Sequence, residues 1–435
     1  YSLAGDIQDG EEILIDEPCI PQYGNQTMTV RAVKVKAVRK VRQPELVGDL
    51  GIEKNHNLFI SKNQSDASML VHNCWALASN DPNLVTTFKT SLQYIYKLRK
   101  LETQLAYLGF KYESDTHKIN YSGFTGVPVK EVTKDQRQSA KGIVFGSMYG
   151  IGDGSLAKSI NKTLEETRDI KGKFFKRYSK GAKWMTDQCD STIENNYIVS
   201  MLGRRRNLDG HKIPVPTLQA AFERRAQNSP IQGVASDFGY IAARLYTLAI
   251  DKFCKDFDIV GNEEYLINHG WKNKMTEFDR TAAFAPAGID SMVHDSIKSQ
   301  VRYDMIFVAI HLKEWAMTTG VRKYVKKYLG VNFNVDLGVE FDVGASGSTM
   351  ETWNWTSKDL KIKEKKDDGT IDEYEVLGLP TLVENALQEQ ADGGYDINVN
   401  KLMKEAQSLY DNSIDYLEST FPLPYARFRD HGVVN

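Results

Sequence analysis

The chain has 435 residues, 41% hydrophobic and 26% charged, with 55 Lys and Arg against 57 Asp and Glu and a formal net charge of −2. That length allows two to three domains with sizeable cores, and the composition excludes a collagenous or disordered chain. No apolar run reaches the length of a membrane span and no signal peptide is visible; Cys19, Cys74, Cys189 and Cys254 lack metal-ligand spacing, which argues against zinc and suits a reducing compartment.

In chain order, VRAVKVKAVRKVRQPELVGDL comes first, its valines alternating with Lys34, Lys36, Arg39 and Lys40. A period of two predicts strands with one buried face, and the cations read as a solvated strand face before they read as a nucleic-acid patch. From Cys74 the pattern turns helical through LVTTFKTSLQYIYKLRKLETQLAYLGF, RQSAKGIVFGSMYG and SLAKSINKTLEETRDIKGKFFKRYSKGAKWMTDQCDSTIENN. GVASDFGYIAARLYTLAIDKF predicts a long helix, GIDSMVHDSIKSQV a hairpin, RYDMIFVAIHLKEWAMTTGVRKYVKKYL another helix, and VNFNVDLGVEFDVGAS a closing strand. The last part reads as a hairpin around Asp367-Asp368-Gly369 followed by an amphipathic helix in NVNKLMKEAQSLYDNSIDYLESTF. Helices with an antiparallel sheet make an α+β class. Cations cluster in KGKFFKRYSKGAKW and GRRRNLDGHK, and for a polyanionic partner distribution matters more than the sum.

RQSAKGIVFGSMYG places Arg137, Lys141, Phe145 and Tyr149 four residues apart. A helix turns about 400° in four residues, so each side chain sits roughly 40° around from the last and the four form one stripe. Two cations followed by two rings are suited to holding a triphosphate and stacking a base.

The string resembles the fingers helix of family A DNA polymerases, Arg-x3-Lys-x3-Phe/Tyr-Gly-x2-Tyr-Gly, at all six specified positions. Upstream, DTHKINYSGFTGVPVKEVT resembles the family's Asp-x-His segment, which implies that His117 contacts the incoming phosphates. Downstream, MLGRRRNL resembles the Gly-Arg-Arg turn, and ERRAQNSPIQGVASD the helix that reaches the primer-template minor groove, with Arg224, Asn228 and Gln232 at helical spacing. Acceptors in that groove occur on every base pair, so such contacts check shape without reading sequence. GIDSMVHDSIKSQV resembles the catalytic hairpin, with His294 in the DNA-contacting set and Asp295 as a metal-binding carboxylate. The resemblance implies primer-template DNA and dNTPs as partners and two Mg2+ ions about 3.5–4 Å apart as cofactor, held by carboxylates because hard cations prefer oxygen. It gives Lys141 the role of a point charge over the leaving phosphates and Arg137 that of a fork on terminal phosphate oxygens. Tyr149 completes the catalytic set, and Phe145 packs against the incoming sugar and base; Phe rather than Tyr there implies discrimination against nucleotides lacking a 3′-hydroxyl.

Two departures bear on that reading. Ser296 follows Asp295 where most of the family has Glu, and a hydroxyl cannot carry that charge. Single-subunit RNA polymerases commonly read His-Asp-Ser, but they usually have Met or Thr where this chain has Phe145-Gly146, so DNA synthesis is preferred. The family's second aspartate, in an Asp-Tyr-Ser-x-x-Glu-Leu-Arg strand, has no counterpart string, although CWALASNDPNLVTTF resembles the residues that follow it.

Val47 to Asn73 instead resembles the closing segment of an intein, with Asp-Leu-x-x-Glu-x-x-His-Asn-x-Phe, a hydrophobic strand, and His-Asn before Cys. On that resemblance Asn73 cyclises to cleave the chain, His72 serves as general acid, His56 assists, and Cys74 is the thiol that accepts the upstream part. The expected organisation is therefore an all-β, Hint-type intein segment at 1–73 and helical fingers at 74–232. A palm with the catalytic hairpin follows at 233–355, and a C-terminal extension, expected to be a surface appendage, at 356–435. The functional expectation is template-directed DNA synthesis in the cytoplasm of a bacterial or phage-infected cell once an upstream polymerase/intein fragment supplies the second aspartate, with no membrane partner. The alternative is an auto-processing intein fragment with inactive polymerase cargo.

Overall fold

The computed structural model describes residues 74–424 apart from 209–214, 271–285, 294–295, 334, 336, 347 and 366–368, together with the backbone of strands 12–16, 30–34 and 57–61. Among them the chain is mostly helical with small antiparallel sheets, in keeping with the α+β expectation. The first two strands, β1 (Glu12–Asp16) and β2 (Val30–Lys34), form a two-stranded antiparallel ribbon. The third, β3 (Asn57–Ser61), belongs to a different sheet.

Helical residues 74–79 (α1) open a helical layer that continues through α2 (Pro82–Leu101), α3 (Gln104–Glu113), α4 (Thr116–Thr125), α5 (Lys134–Met148) and α6 (Asp153–Ser159). α7 (Leu164–Arg177) and α8 (Ser179–Asn195) complete it. Local signals start these helices: Asp81 caps α2 with proline at its first turn, and reciprocal capping boxes open α5 (Thr133, Gln136) and α7 (Thr163, Glu166). The other carboxylate oxygen of Asp81 accepts the Gly181 N–H at 3.0 Å, fastening the start of α2 to α8. Trp75, fully buried, packs on Phe174 and Tyr178 at 5.8 and 6.0 Å between centroids. A Cβ at Gly181 would lie 2.6 Å from Trp75, so only glycine lets α8 approach the ring.

A short ribbon, β4 (Tyr197–Val199) with β5 (Arg205–Asn207), leads into α9 (Pro216–Asp256), a single helix of 41 residues. It carries Pro230 in its interior, and the expected division between residues 232 and 233 falls within it. Proline removes one hydrogen-bond donor there, but Ile231 and Val234 are buried in the same core, and that packing carries the helix across the break.

After α10 (Asn262–Asn268) comes the principal sheet. β6 (Ala287–Val293) and β7 (Ser296–Arg302) form the expected antiparallel hairpin, closing on the Val293–Ser296 pair with a bulge between Ile289 and Ser291. With β8 (Phe341–Gly344) and β9 (Glu351–Trp353) the strand order is β6-β7-β3-β8-β9. Ile60 stands opposite both Ser299 and Val343, so β3 fills the slot between β7 and β8. The described residues of 1–73 do not support the expectation of a separate all-β segment. Two strands pair with each other and the third completes a sheet made with residues beyond 285. The physical reason is that both β7 and β8 would otherwise present unpaired backbone edges within the fold.

α11 (Ile306–Trp315), a π-helical turn (Ala316–Gly320) and α12 (Val321–Leu329) back this sheet. Beyond β9, β10 (Leu360–Lys365) pairs antiparallel with β11 (Ile371–Val376), and α13 (Leu379–Asp392) and α14 (Val399–Thr420) follow. This extension is not a surface appendage. Leu360, Ile362, Val376, Leu382, Leu387, Leu402 and Leu417 lie in the same core as Tyr246, Phe253, Leu312 and Phe341. Buried Gln390 joins it by polar bonds, accepting from the Tyr303 hydroxyl and donating to the Ala345 carbonyl at 3.2 Å.

Arg99 of α2 marks where the two halves lock. Its guanidinium lies 4.0 Å from the Trp355 ring and 5.2 Å from the Trp353 ring, and pairs with Glu314 at 3.1 Å. Both charged side chains are under 10% exposed, at 9% and 7%, so deleting one strands the other in the core. Arg99→Ala is expected to cost about 3–5 kcal/mol of unfolding free energy, measured by urea denaturation. A loss below about 1 kcal/mol, the range of an exposed pair, would show that this cluster does not secure the extension.

Candidate nucleotide and nucleic-acid site

α5 has two flanks. Ala140, Ile143, Val144 and Met148 are buried against the helical core, while Arg137, Lys141, Phe145 and the C-cap residue Tyr149 are half-buried along the other flank. The expected stripe is thus present and faces outward from the core. The Phe145 and Tyr149 rings stack at 6.0 Å with planes 8° apart, and His117 meets Phe145 at 5.9 Å. Gly146 lets α5 sit close on α6, since a Cβ there would come within 2.7 Å of Leu156.

His117 enters this wall from the first turn of α4 and is 4% exposed. Burial pushes its imidazole pKa down to about 3, and the nearby positive charges of Arg137 and Lys141 push the same way. At neutral pH the ring is therefore uncharged and carries one N–H and one lone pair rather than a third positive charge. Asp115, the N-cap of α4, accepts the backbone N–H groups of His117 and Lys118 through one oxygen at 2.9 and 3.0 Å. Its other oxygen takes the Nε–H of Arg137. No ion pair to Lys141 occurs among the described residues.

The second polar surface is the first half of α9. Arg224, Asn228 and Gln232 recur every four residues there, Arg224 and Gln232 exposed and Asn228 half-buried. α9 meets the end of α5 at Gly150, where φ is +66° and a Cβ would stand 2.8 Å from Arg224 Cγ. Glycine both permits that backbone and clears space for the arginine, so Arg224 is brought beside the Tyr149 turn.

The β4–β5 ribbon is pinned to the same helix. Arg204 pairs with Asp237, Arg206 donates to Ser229 Oγ at 3.0 Å, and Arg205 lies 3.8 Å over the Tyr197 ring. Burial raises the Asp237 carboxyl above its usual range, and Arg204 partly offsets this. The Gly-Arg-Arg turn therefore divides its arginines between anchoring the ribbon and presenting charge.

His117, Arg137, Phe145 and Tyr149 come together, Lys141 lies on the same flank, and Arg224 joins them through Gly150. His294 and Asp295 lie outside the described residues, as do His56, His72 and Asn73. Cys74 is described and fully buried in the helical core. Among the described residues no three His, Cys, Asp or Glu side chains converge on a metal position, so the Mg2+ expectation rests on Asp295. Asp115, Arg204, Arg206 and Asp237 join the site without having been assigned roles individually, although Asp115 belongs to the Asp-x-His segment, Arg204 and Arg206 to the Gly-Arg-Arg string, and Asp237 to the string read as the minor-groove helix. Asp115 also carries a local signal, an aspartate immediately before a helix start.

Residues 53–257 match the family model described as DNA polymerase family A, a match that begins ahead of Cys74 and takes in β3. DNA polymerase I of Caldicellulosiruptor bescii is 27% identical over 217 residues, covering 50% of this chain and 22% of that protein. DNA polymerase I of Pseudomonas aeruginosa is 33% identical over 128 residues, covering 29% of this chain and 14% of that protein. The DNA polymerase of Bacillus phage SP01 is 33% identical over 129 residues, covering 28% and 14%. The POL domain of Pol1 from M. smegmatis, solved in complex with DNA primer-template and dNTP, aligns with a TM-score of 0.47 at 21% identity, over 66% of this chain and 39% of that one. The matched stretches span at most 22% of these curated relatives' own lengths. Residues 53–257 are thus similar to the polymerase domain of family A DNA polymerases.

Proposed function

We propose that this chain supplies the nucleotide-binding fingers and part of the palm of an enzyme that extends a DNA primer on a template. The observation that carries the reading is the outward flank of α5, where Arg137, Lys141, Phe145 and Tyr149 stand together with the uncharged His117. Two cations suit a polyphosphate and two stacked rings suit a base and sugar. The exposed Arg224 and Gln232 and the half-buried Asn228 of α9 suit acceptors along a minor groove, independent of sequence. The relatives named above are DNA polymerases, which favours deoxynucleotides over ribonucleotides as substrate.

Asp295 is the carboxylate this reading assigns to Mg2+, and the second aspartate comes from an upstream polymerase part. Two such ions, when bound, would neutralise charge on the attacking and leaving oxygens. Residues 1–73 take part in protein splicing, with His56, His72, Asn73 and Cys74 in the roles set out above. The buried Cys74 thiol adds an order of events: transfer to that sulfur precedes the packing of α1 into the helical core. No described helix is long and apolar enough to cross a membrane, and the proposed setting is the cytoplasm of a bacterial or phage-infected cell.

One experiment tests both parts. Coexpression with the upstream fragment is expected to yield a ligated chain with a new peptide bond before Cys74, read by mass spectrometry. That product is expected to extend a primer and to prefer deoxy over dideoxy nucleotides, whereas the present chain alone extends none. An intact, unligated Cys74 removes the splicing role. A ligated product without extension removes the polymerase role, and equal use of dideoxy substrates removes the reading of Phe145.

A further inference from the structure

The ion pair between Asp115 and Arg137 sits inside the flank that the proposed function gives to the triphosphate. The two oxygens of the Asp115 carboxylate serve different ends. One oxygen is committed to the N–H groups of His117 and Lys118 at 2.9 and 3.0 Å, which fixes the carboxylate in place as the cap of α4. The other reaches across to Arg137 Nε, one turn into α5. The pair is neither sealed nor fully solvated, with side chains 31% and 16% exposed, so an anion from solution can reach the guanidinium.

Resting on the nucleotide-site reading, we propose that Asp115 is an internal stand-in for phosphate: it holds Arg137 in the empty site and is displaced from it by the polyphosphate of an incoming nucleotide. The exchange is chemically like for like, because a guanidinium donates to a carboxylate or a phosphate oxygen through the same fork. The cap does not have to break for it, because the oxygen that holds α4 is not the one that holds Arg137. Displacement leaves one carboxylate oxygen facing the bound anion at a cost, so affinity is set below what the cations alone would give. Asp115 would thereby act as a positioning residue for Arg137 between turnovers and set a limit on the site's affinity for anions.

The test is calorimetric titration of the full chain with inorganic tripolyphosphate, comparing the unaltered chain, Asp115→Asn, Arg137→Ala and the double variant. Asparagine keeps an oxygen to cap α4 and removes only the charge. Asp115→Asn is expected to tighten binding at least fivefold, and the same change in the Arg137→Ala background to shift Kd less than twofold. Unchanged or weaker binding by Asp115→Asn overturns the proposal, since the carboxylate would then be aiming Arg137 at its ligand. An equal gain in the Arg137→Ala background also overturns it, since the effect would be repulsion at a distance. No binding by the unaltered chain overturns the nucleotide-site reading and the proposal with it, whereas binding without the gain removes the proposal alone.

Discussion

Replacing Lys141 by alanine is expected to weaken the binding of a deoxynucleoside triphosphate to this chain by roughly ten- to a hundredfold. A hydrogen bond to a charged group is worth about 1.5–3 kcal/mol, which converts to that range at 1.4 kcal/mol for each factor of ten. Lys141 is singled out because its ammonium has no ion pair to give up among the described residues, so its full interaction with a polyphosphate is gained on binding. Arg137→Ala is expected to cost less, because Arg137 first has to leave Asp115. His117 cannot substitute for either: its ring is kept neutral by burial and by these same two cations. Titration of a nucleotide into the two variants measures the difference. A change of less than twofold for Lys141→Ala would show that the α5 flank does not carry the phosphates.

The second large effect concerns stability. Lys313 on α11 is 1% exposed, with its ammonium 3.1 Å from Ser299 Oγ on β7 and 5.9 Å from the Tyr246 ring on α9. Burial lowers its pKa from 10.5 to about 7. Below about pH 7 the folded and unfolded chains are both protonated, and the full cost of a buried charge weighs on the fold. Between about 7 and 10.5 the unfolded chain still holds the proton that the folded chain has released, so stability climbs with pH. Above that range both are neutral and the cost is gone.

Lys313→Met is expected to lack this climb and to be more stable than the unaltered chain at pH 6 by a few kcal/mol, at about 1.4 kcal/mol for each pH unit of the span. Cys254 acts in the opposite sense: burial raises its thiol to about 11, so the fold loses stability as pH rises past the unfolded value. The comparison between variant and unaltered chain cancels that contribution. Urea unfolding at pH 6, 8 and 10 reads the slopes, and parallel slopes would mean that the lysine reaches water. A lysine beneath strand β7 and bonded to it lets this helix be almost wholly buried yet keep a polar contact with the sheet.

Legible in the amino-acid sequence by itself is whatever a few neighbouring residues specify. The α5 stripe follows from a repeat of four, the start of α4 from an aspartate before it, and the β6–β7 hairpin and the final helix from their own periodicity. Such patterns depend on bonds within one or two turns, so the residues themselves suffice. The repeat of four also points to Arg137, Lys141, Phe145 and Tyr149, to which the family resemblance adds His117, and the fold gathers these along one flank.

Tertiary structure alone decides the pairings between distant segments. Arg99 has no local reason to choose Trp353, Trp355 and Glu314, nor Arg137 to choose Asp115. α9 runs on through Pro230 because its apolar side is buried, and helix propensity would have ended it. The extension after residue 355 reads as surface because its charges are visible in sequence while the partner for its apolar face is not; that face finds α11 and the sheet. β3 groups by sequence with the strands ahead of it, yet its place is set by β7 and β8, whose open edges offer more backbone bonds than the segment's own neighbours could. Periodicity reports which face of an element is apolar, whereas which other face covers it depends on the free energy of the whole packed arrangement.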